Sequence, residues 1–470
     1  MKILIVHFRS APPAGWKQYG TESERNKSDS AGTDGVSLEM KKRRFMLEKM
    51  GHTVAICSAY EWAEYPLPEL EFDSAENRKM MRNMFESLED YTGEAELKKE
   101  FDRMTAILEQ ELTGIVSDYS PEIVFVHNML CLPIHPSATV ALTNVLVKTG
   151  LACTAIHHDI LSEGAYKFKP TCDFSAKILQ TFFPPSMHTM AHWTINSRNQ
   201  KALKSKNIQA QIIHDTMDFN EKLDAASHKK IRAELRTKFA IKENDIVLFM
   251  GARIVPNKQI EIAGALTSKL QSLSTAMVNR KLYNNELFVN QNRIVLVIAG
   301  RPEAAFADYQ QKLFAYLDSL RISWKYVGDI VRPLRSESEG FYALFPDMYA
   351  IADFVVYPTG WEGFGNQLLE AFAAGLPVAL FEYPVFKEDI EPKGVNIVSL
   401  GDTILESKDT LVRIPEQNIT VAVQEILSIL TSAEEYSAMT AKNSAIGKKH
   451  FSFDVLRAHL SNAIEWASNK

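Results

Sequence analysis

The sequence predicts an α/β protein built from two doubly wound parallel-sheet domains. Three observations carry this prediction. At 470 residues the chain is too long for one ordinary core and suits two domains of roughly 200 residues each. In each half, short apolar runs of strand length alternate with polar loops and stretches of helical period. Near residue 245 the pattern starts afresh. The near-continuous apolarity of the runs fits parallel strands covered on both faces.

Taken in order, Ile3-Leu4-Ile5-Val6 is the first run, and no small-residue cleavage site follows it, so it reads as a buried strand and not a signal segment. After a long polar loop, Val36, Met40, Leu47 and Met50 share one helical face, and Gly51 is placed to end that helix. The basic cluster at 41–44 reads as a solvated helix face. Further strands are expected at 53–57, 123–126, 152–156 and 193–195. Residues 61–119, rich in Glu, Lys, Met and Leu, read as an inserted helical segment and not as a βα unit. The charged stretch 220–242 reads as a linker helix, with the domain boundary between 215 and 244. Second-half strands are expected at 245–251, 294–300, 324–328, 354–357 and 378–381. Residues 451–470 have the pattern of an amphipathic helix. The domains are therefore drawn at 1–220 and 221–450, followed by a terminal helix at 451–470.

Composition excludes several functions. With 46% hydrophobic and 23% charged residues the chain is neither disordered nor membrane-like, and its longest apolar runs fall far short of the ~20 residues that cross a bilayer. A net charge of -6 argues against nucleic-acid binding. Cys57, Cys131, Cys153 and Cys172 are scattered and read as reduced core residues of a cytoplasmic protein. His188 and His192 have i,i+4 spacing without the Glu or third ligand of a metal helix. Neither a Walker A loop nor a Gly-x-Gly-x-x-Gly fingerprint occurs, which counts against ATP hydrolysis and dinucleotide redox chemistry.

The stretch 357–378 is the most informative. It reads as strand, glycine-bearing loop, helix, glycine stop and next strand. Gly363 and Gly365 let backbone approach a ligand, and amides near Asn366 offer donors and a positive dipole. Glu362 and Glu370 suit sugar hydroxyls, since carboxylates accept paired hydrogen bonds. Facing sheets of this kind would form a cleft lined by strand C-termini.

Here the sequence resembles the retaining glycosyltransferases of family 4, which have the GT-B fold and a Glu-x7-Glu motif. Glu362-Gly-Phe-Gly365, Leu369-Glu-Ala371 and Gly375-Leu-Pro-Val378 carry the resemblance. It implies that Glu362 contacts the donor sugar, that Gly363, Phe364 and Gly365 support sugar and phosphate by their amides, and that Glu370 holds the ribose. Arg253 and Lys258, after Gly251, match the family's diphosphate clamp, in which fixed cations stabilise the leaving group. No Asp-x-Asp occurs, so no metal-holding device of that type is present. Arg301 is a further donor-side candidate. On the acceptor side, Gly35 matches the family's glycine loop while Asp34 departs from it. His157-His158-Asp159 resembles a His-Asp loop, with His158 the choice for facing the anomeric centre and His157 a close rival. His127 is another acceptor-side candidate. The family implies transfer of a hexosyl unit from a nucleotide-diphosphate sugar to a small-molecule, glycan or lipid-linked hydroxyl. It implies retained configuration and no cofactor or metal. A glycoside phosphorylase or disaccharide synthase of the same fold, and a non-catalytic sugar-nucleotide-binding protein, are the alternatives.

Overall fold

The computed structural model describes residues 1–10, 35–161, 167–332, 335–336, 339–405 and 411–470. The chain divides into two units. The first comprises Met1–Asp215 with Asp454–Lys470, and the second Thr216–Phe453. The divisions thus fall at 215/216 and 453/454, a few residues from the expected 220 and 450.

The first unit holds a seven-stranded, wholly parallel sheet. Its strands are β1 (Lys2–Val6), β2 (Thr53–Ser58), β3 (Tyr65–Pro66), β4 (Ile123–His127), β5 (Ala152–His157), β6 (Met190–Thr194) and β7 (Ala210–Ile212), in the order β3-β2-β1-β4-β5-β6-β7. Ile3 to Val6 are buried on both faces, which accounts for their unbroken apolarity. The first helix, α1 (Gly35–Lys49), turns Met40 and Leu47 inward, and Gly51 leaves it with φ +86°. The basic cluster on this helix is a solvated face only in part: Lys41 is exposed and Lys42 and Arg44 partly so, but Arg43 is not. Arg43 is fully buried, because Glu39 one turn earlier accepts from its guanidinium at 2.7 Å and neutralises it.

The segment 61–119 also departs from expectation. It opens with the edge strand β3, paired in parallel with β2, before α2 (Ala75–Phe85) and α3 (Glu94–Tyr119). Two residues are too few to show a period. Ser74 caps α2 by accepting from the Asn77 amide, and Leu97, Phe101, Met104, Leu108 and Leu112 form the buried stripe of α3. Helices α4 (Pro136–Thr149), α5 (Asp173–Phe182) and α6 (Ser197–Ser205) complete the alternation.

The second unit repeats the plan with six parallel strands, β8 (Ile246–Met250), β9 (Ile294–Ile298), β10 (Ser323–Tyr326), β13 (Phe354–Tyr357), β14 (Val378–Leu380) and β15 (Val398–Ser399). Their order is β10-β9-β8-β13-β14-β15, and the two-residue strands β11 (Val331–Arg332) and β12 (Tyr342–Ala343) pair separately. Helix α7 (Ala225–Lys238), expected as a linker, belongs to this unit. Asp353, buried before β13, accepts from Arg232 Nη2 at 2.6 Å and Arg236 Nη2 at 2.9 Å, both on α7. It also accepts from the Val247 amide of β8 at 2.7 Å and from Tyr283 Oη at 2.6 Å. A charged sequence here reflects a buried ion cluster, which composition cannot distinguish from a solvated linker. Helices α8 (Ile260–Ser272), α9 (Ala307–Ser319), α10 (Asn366–Ala374), α11 (Glu416–Leu430) and α12 (Ala433–Phe451) surround the sheet.

Candidate active site

In the second sheet the chain leaves β8 toward β9 on one side, while β13 lies on the other. Open α/β sheets bind ligands outside the strand C-termini at such a switch point. Both loops there bring chemistry. Lys258, on a short turn after β8, pairs its ammonium with Glu362 in the loop after β13. Lys258 is only 7% exposed and Glu362 19%. Tyr357, the last residue of β13, donates its hydroxyl to the same carboxylate oxygen, Oε1, at 2.6 Å. Burial first, then the Glu362 charge, holds the Tyr357 phenol well above its usual pKa, so it remains a donor.

Glu370 lies on α10 and accepts from Tyr349 Oη at 2.8 Å, while Gln367 Nε2 donates to the Gly251 carbonyl at 3.0 Å. Helix α10 is thereby tied to the loop after β8. Gly365 precedes it with φ +130°, and a Cβ there would lie 2.4 Å from the Tyr383 hydroxyl, which itself donates to the Phe364 carbonyl at 2.5 Å. Only glycine meets both demands. The helix begins at Asn366 and directs its positive end at the loop of Gly363, Phe364 and Gly365. The buried oxygens Gln259 Oε1, Thr359 Oγ1 and Gln367 Oε1 have no hydrogen-bond partner among the described residues. Such acceptors are costly unless a ligand or water supplies donors.

Arg253 stands differently. It is 51% exposed and paired with Glu303, in the loop after β9, and not with Glu362 or Glu370. Its neighbour Ile254 donates its amide to the Arg301 carbonyl at 2.9 Å, so the loops of Arg253 and Arg301 run side by side. Tyr357, Tyr349, Tyr383, Gln367 and Glu303 were missed in the sequence. Tyr357 was discoverable as the residue opening the glycine-bearing stretch, whereas the others are distant partners with no local pattern.

In the first unit the switch point lies between β1 and β4. His7, just after β1, donates from Nδ1 to the His127 carbonyl at 2.7 Å. His127, the last residue of β4, has Nδ1 3.3 Å from His158 Nε2, and the two rings stack with centroids 5.5 Å apart. His158 Nδ1 lies 4.0 Å from Asp215 Oδ1. Asn128, at φ +54°, accepts from the amides of His158 and Asp159 at 3.1 and 3.0 Å and donates to Asp159 Oδ2 at 2.9 Å. This bracket fixes the loop. His157 turns elsewhere, and its Nε2 meets His192 Nδ1 at 3.0 Å. The geometry therefore joins His158, and not His157, to His127. Gly35 opens α1 with nothing crowding it, while Asp34 lies outside the described residues.

Burial, followed by the charge of Arg43, holds His127 and His158 well below the usual histidine pKa. Burial also lowers His135 and His192 to about 4. These rings are neutral at pH 7. Because their folded pKa values are depressed, the stabilisation is complete above the unfolded value near 6.5 and is lost as pH falls toward 4, where the unfolded chain binds more protons. Acid titration followed by circular dichroism is expected to show stability declining through that window, with His135→Gln flattening the decline by an amount on the order of 3 kcal/mol. A stability plateau from pH 6.5 to 4 would contradict the assignment.

A family model described as Glycosyl transferases group 1 matches residues 340–443, which contain Glu362 and Glu370. The mannosylglucosylglycerate synthase of Thermotoga maritima is 34% identical over 472 residues, covering 99% of this chain and 100% of its own. The chain belongs to the group 1 glycosyl transferases. A mannosylglucosylglycerate synthase from Petrotoga mobilis is 30% identical, covering 90% of this glycosyltransferase and 97% of itself. The fold of the glycosyltransferase is GT-B. It matches the sucrose-phosphate synthase of Thermosynechococcus elongatus at a TM-score of 0.59 and 12% identity, over 99% of this chain and 98% of that one. It also matches the starch synthase IV catalytic domain of Arabidopsis thaliana at a TM-score of 0.56 and 12% identity, over 100% and 99%. No helix among the described residues of the glycosyltransferase is long and apolar enough to cross a membrane.

Proposed function

We propose that this glycosyltransferase is a retaining, family 4 enzyme that transfers mannose from a nucleotide-diphosphate sugar to a hydroxyl of glucosylglycerate. The observation that carries the reading is the match along the whole chain to a relative named for mannosylglucosylglycerate. The donor residues are assigned to the second unit. Lys258 and Arg253 face the diphosphate, each exchanging its present carboxylate partner for phosphate oxygen. Glu362 meets the sugar and Glu370 the ribose. In the transfer, the bond from C1 to the leaving phosphate oxygen breaks as the acceptor oxygen bonds to C1 on the same face. The acceptor's proton passes to the departing diphosphate. His158, kept neutral, offers a lone pair to the cation-like sugar without adding charge of its own. The Lys258 and Arg253 charges take up what develops on the diphosphate, so no metal is needed for that task.

The expected result is that the purified protein, offered GDP-, UDP- and ADP-mannose with glucosylglycerate, forms a mannosylated product from one donor, with an α-linkage by NMR and undiminished in EDTA. Absence of transfer from all three donors refutes the substrate assignment, and a β-linked product refutes retention. A nucleotide that binds the native protein is also expected to raise its melting temperature.

A further inference from the structure

Buried arginines normally have every N–H engaged, because an unmet donor in a dry interior is costly. Arg43 does not. Its Nη1 donates to the Glu39 carbonyl at 3.2 Å and to Glu39 Oε2 at 2.7 Å, while Nε and Nη2 have no hydrogen-bond partner among the described residues. Those two nitrogens form one side of the guanidinium, with parallel N–H bonds. This is the edge that takes both oxygens of a carboxylate. Glu39 does not supply them: its Oε2 meets Nη1, and its Oε1 accepts from Lys42 Nζ at 2.6 Å.

The surroundings fit an anion. Lys42 and Arg43 share the single carboxylate of Glu39. The charge of Arg43 reaches both His127 and His158, and His127 Nε2 likewise has no partner among the described residues. The histidines that feel this charge stand at the switch point of the first sheet, where a bound molecule would meet the ends of β1 and β4.

We infer that the Nε and Nη2 edge of Arg43 binds the carboxylate of the acceptor, making a carboxylate-bearing glycoside the preferred substrate. This rests on the mannosyl-transfer reading for the identity of the acceptor, but the anion site can be tested without it. Glu39 acts as the positioning residue that turns the edge toward the ligand.

The experiment compares glucosylglycerate with glucosylglycerol, which carries a hydroxymethyl group in place of the carboxylate. In the full-length enzyme the ratio of kcat/KM for the two acceptors is expected to fall about 100-fold in Arg43→Met, mainly through KM for glucosylglycerate. Arg43→Lys keeps the charge without the two-pronged edge and is expected to lose most of the same preference. An unchanged ratio in folded Arg43→Met and Arg43→Lys overturns the proposal. Should Arg43→Met fail to fold, Arg43→Lys and the charge-balanced pair Glu39→Gln with Arg43→Met decide by the same ratio. If the wild type transfers mannose to neither acceptor, the reaction assigned above fails, and calorimetry with D-glycerate alone then tests the site. Binding lost in the Arg43 variants supports it, while absent or unaltered binding overturns it.

Discussion

Lys258→Ala is expected to lower kcat about 100- to 1000-fold in protein that still folds. A fixed cation that meets charge as it develops, in a water-poor setting, is among the largest single contributors to catalysis. Lys258 is almost wholly buried and its carboxylate partner is held independently by Tyr357. Removing the ammonium therefore leaves Glu362 anchored. Arg253→Ala is expected to cost less, because Arg253 is half exposed and screened by solvent. Steady-state kinetics on both variants decide the matter. Equal activity to wild type in Lys258→Ala removes the clamp, and a greater loss in Arg253→Ala reverses the ranking.

Asp353→Ala is expected to destabilise the second unit by about 3–5 kcal/mol, the usual consequence of deleting one member of a buried ion cluster. Two arginines would lose their shared counter-ion, and the Val247 amide and Tyr283 hydroxyl their acceptor. Arg232 and Arg236 also donate to carbonyls of residues 350–352 and 242–245, so the damage would spread from α7 to the start of β8. Denaturant titration measures it, and a midpoint within experimental error of wild type contradicts the account. Burial raises the Asp353 pKa, but the two arginines outweigh it and leave the carboxyl below its usual value. Its stabilisation is therefore present above the unfolded value near 4 and is lost only as pH falls through the lower folded value. The histidine-driven decline begins well above that range, so the two can be told apart.

The parts legible in the sequence were those with a local pattern. β1, β4, β5, β8, β9 and β13 announce themselves because burial on both faces demands continuous apolar residues. The loop from Glu362 to Asn366 was legible because close backbone approach demands glycine, as at Gly365. What escaped was long-range or too short. β3, β11, β12 and β15 have two residues each and exist through their neighbours. Tyr349 meets Glu370 from 21 residues away, and Glu303 meets Arg253 from 50. Arg43 was misread for another reason. A Glu and an Arg four apart on a helix look alike whether water or protein surrounds them.

The return of the last residues to the body that contains the first has a practical corollary for engineering. Because Asp454–Lys470 joins Met1–Asp215, the second unit is, topologically, an insertion into the first. Exchanging the second unit for that of a relative therefore calls for two junctions, near 215 and 453. A simple N-terminal fragment ending at 215 would omit His459, the hydrogen-bond partner of Gln211.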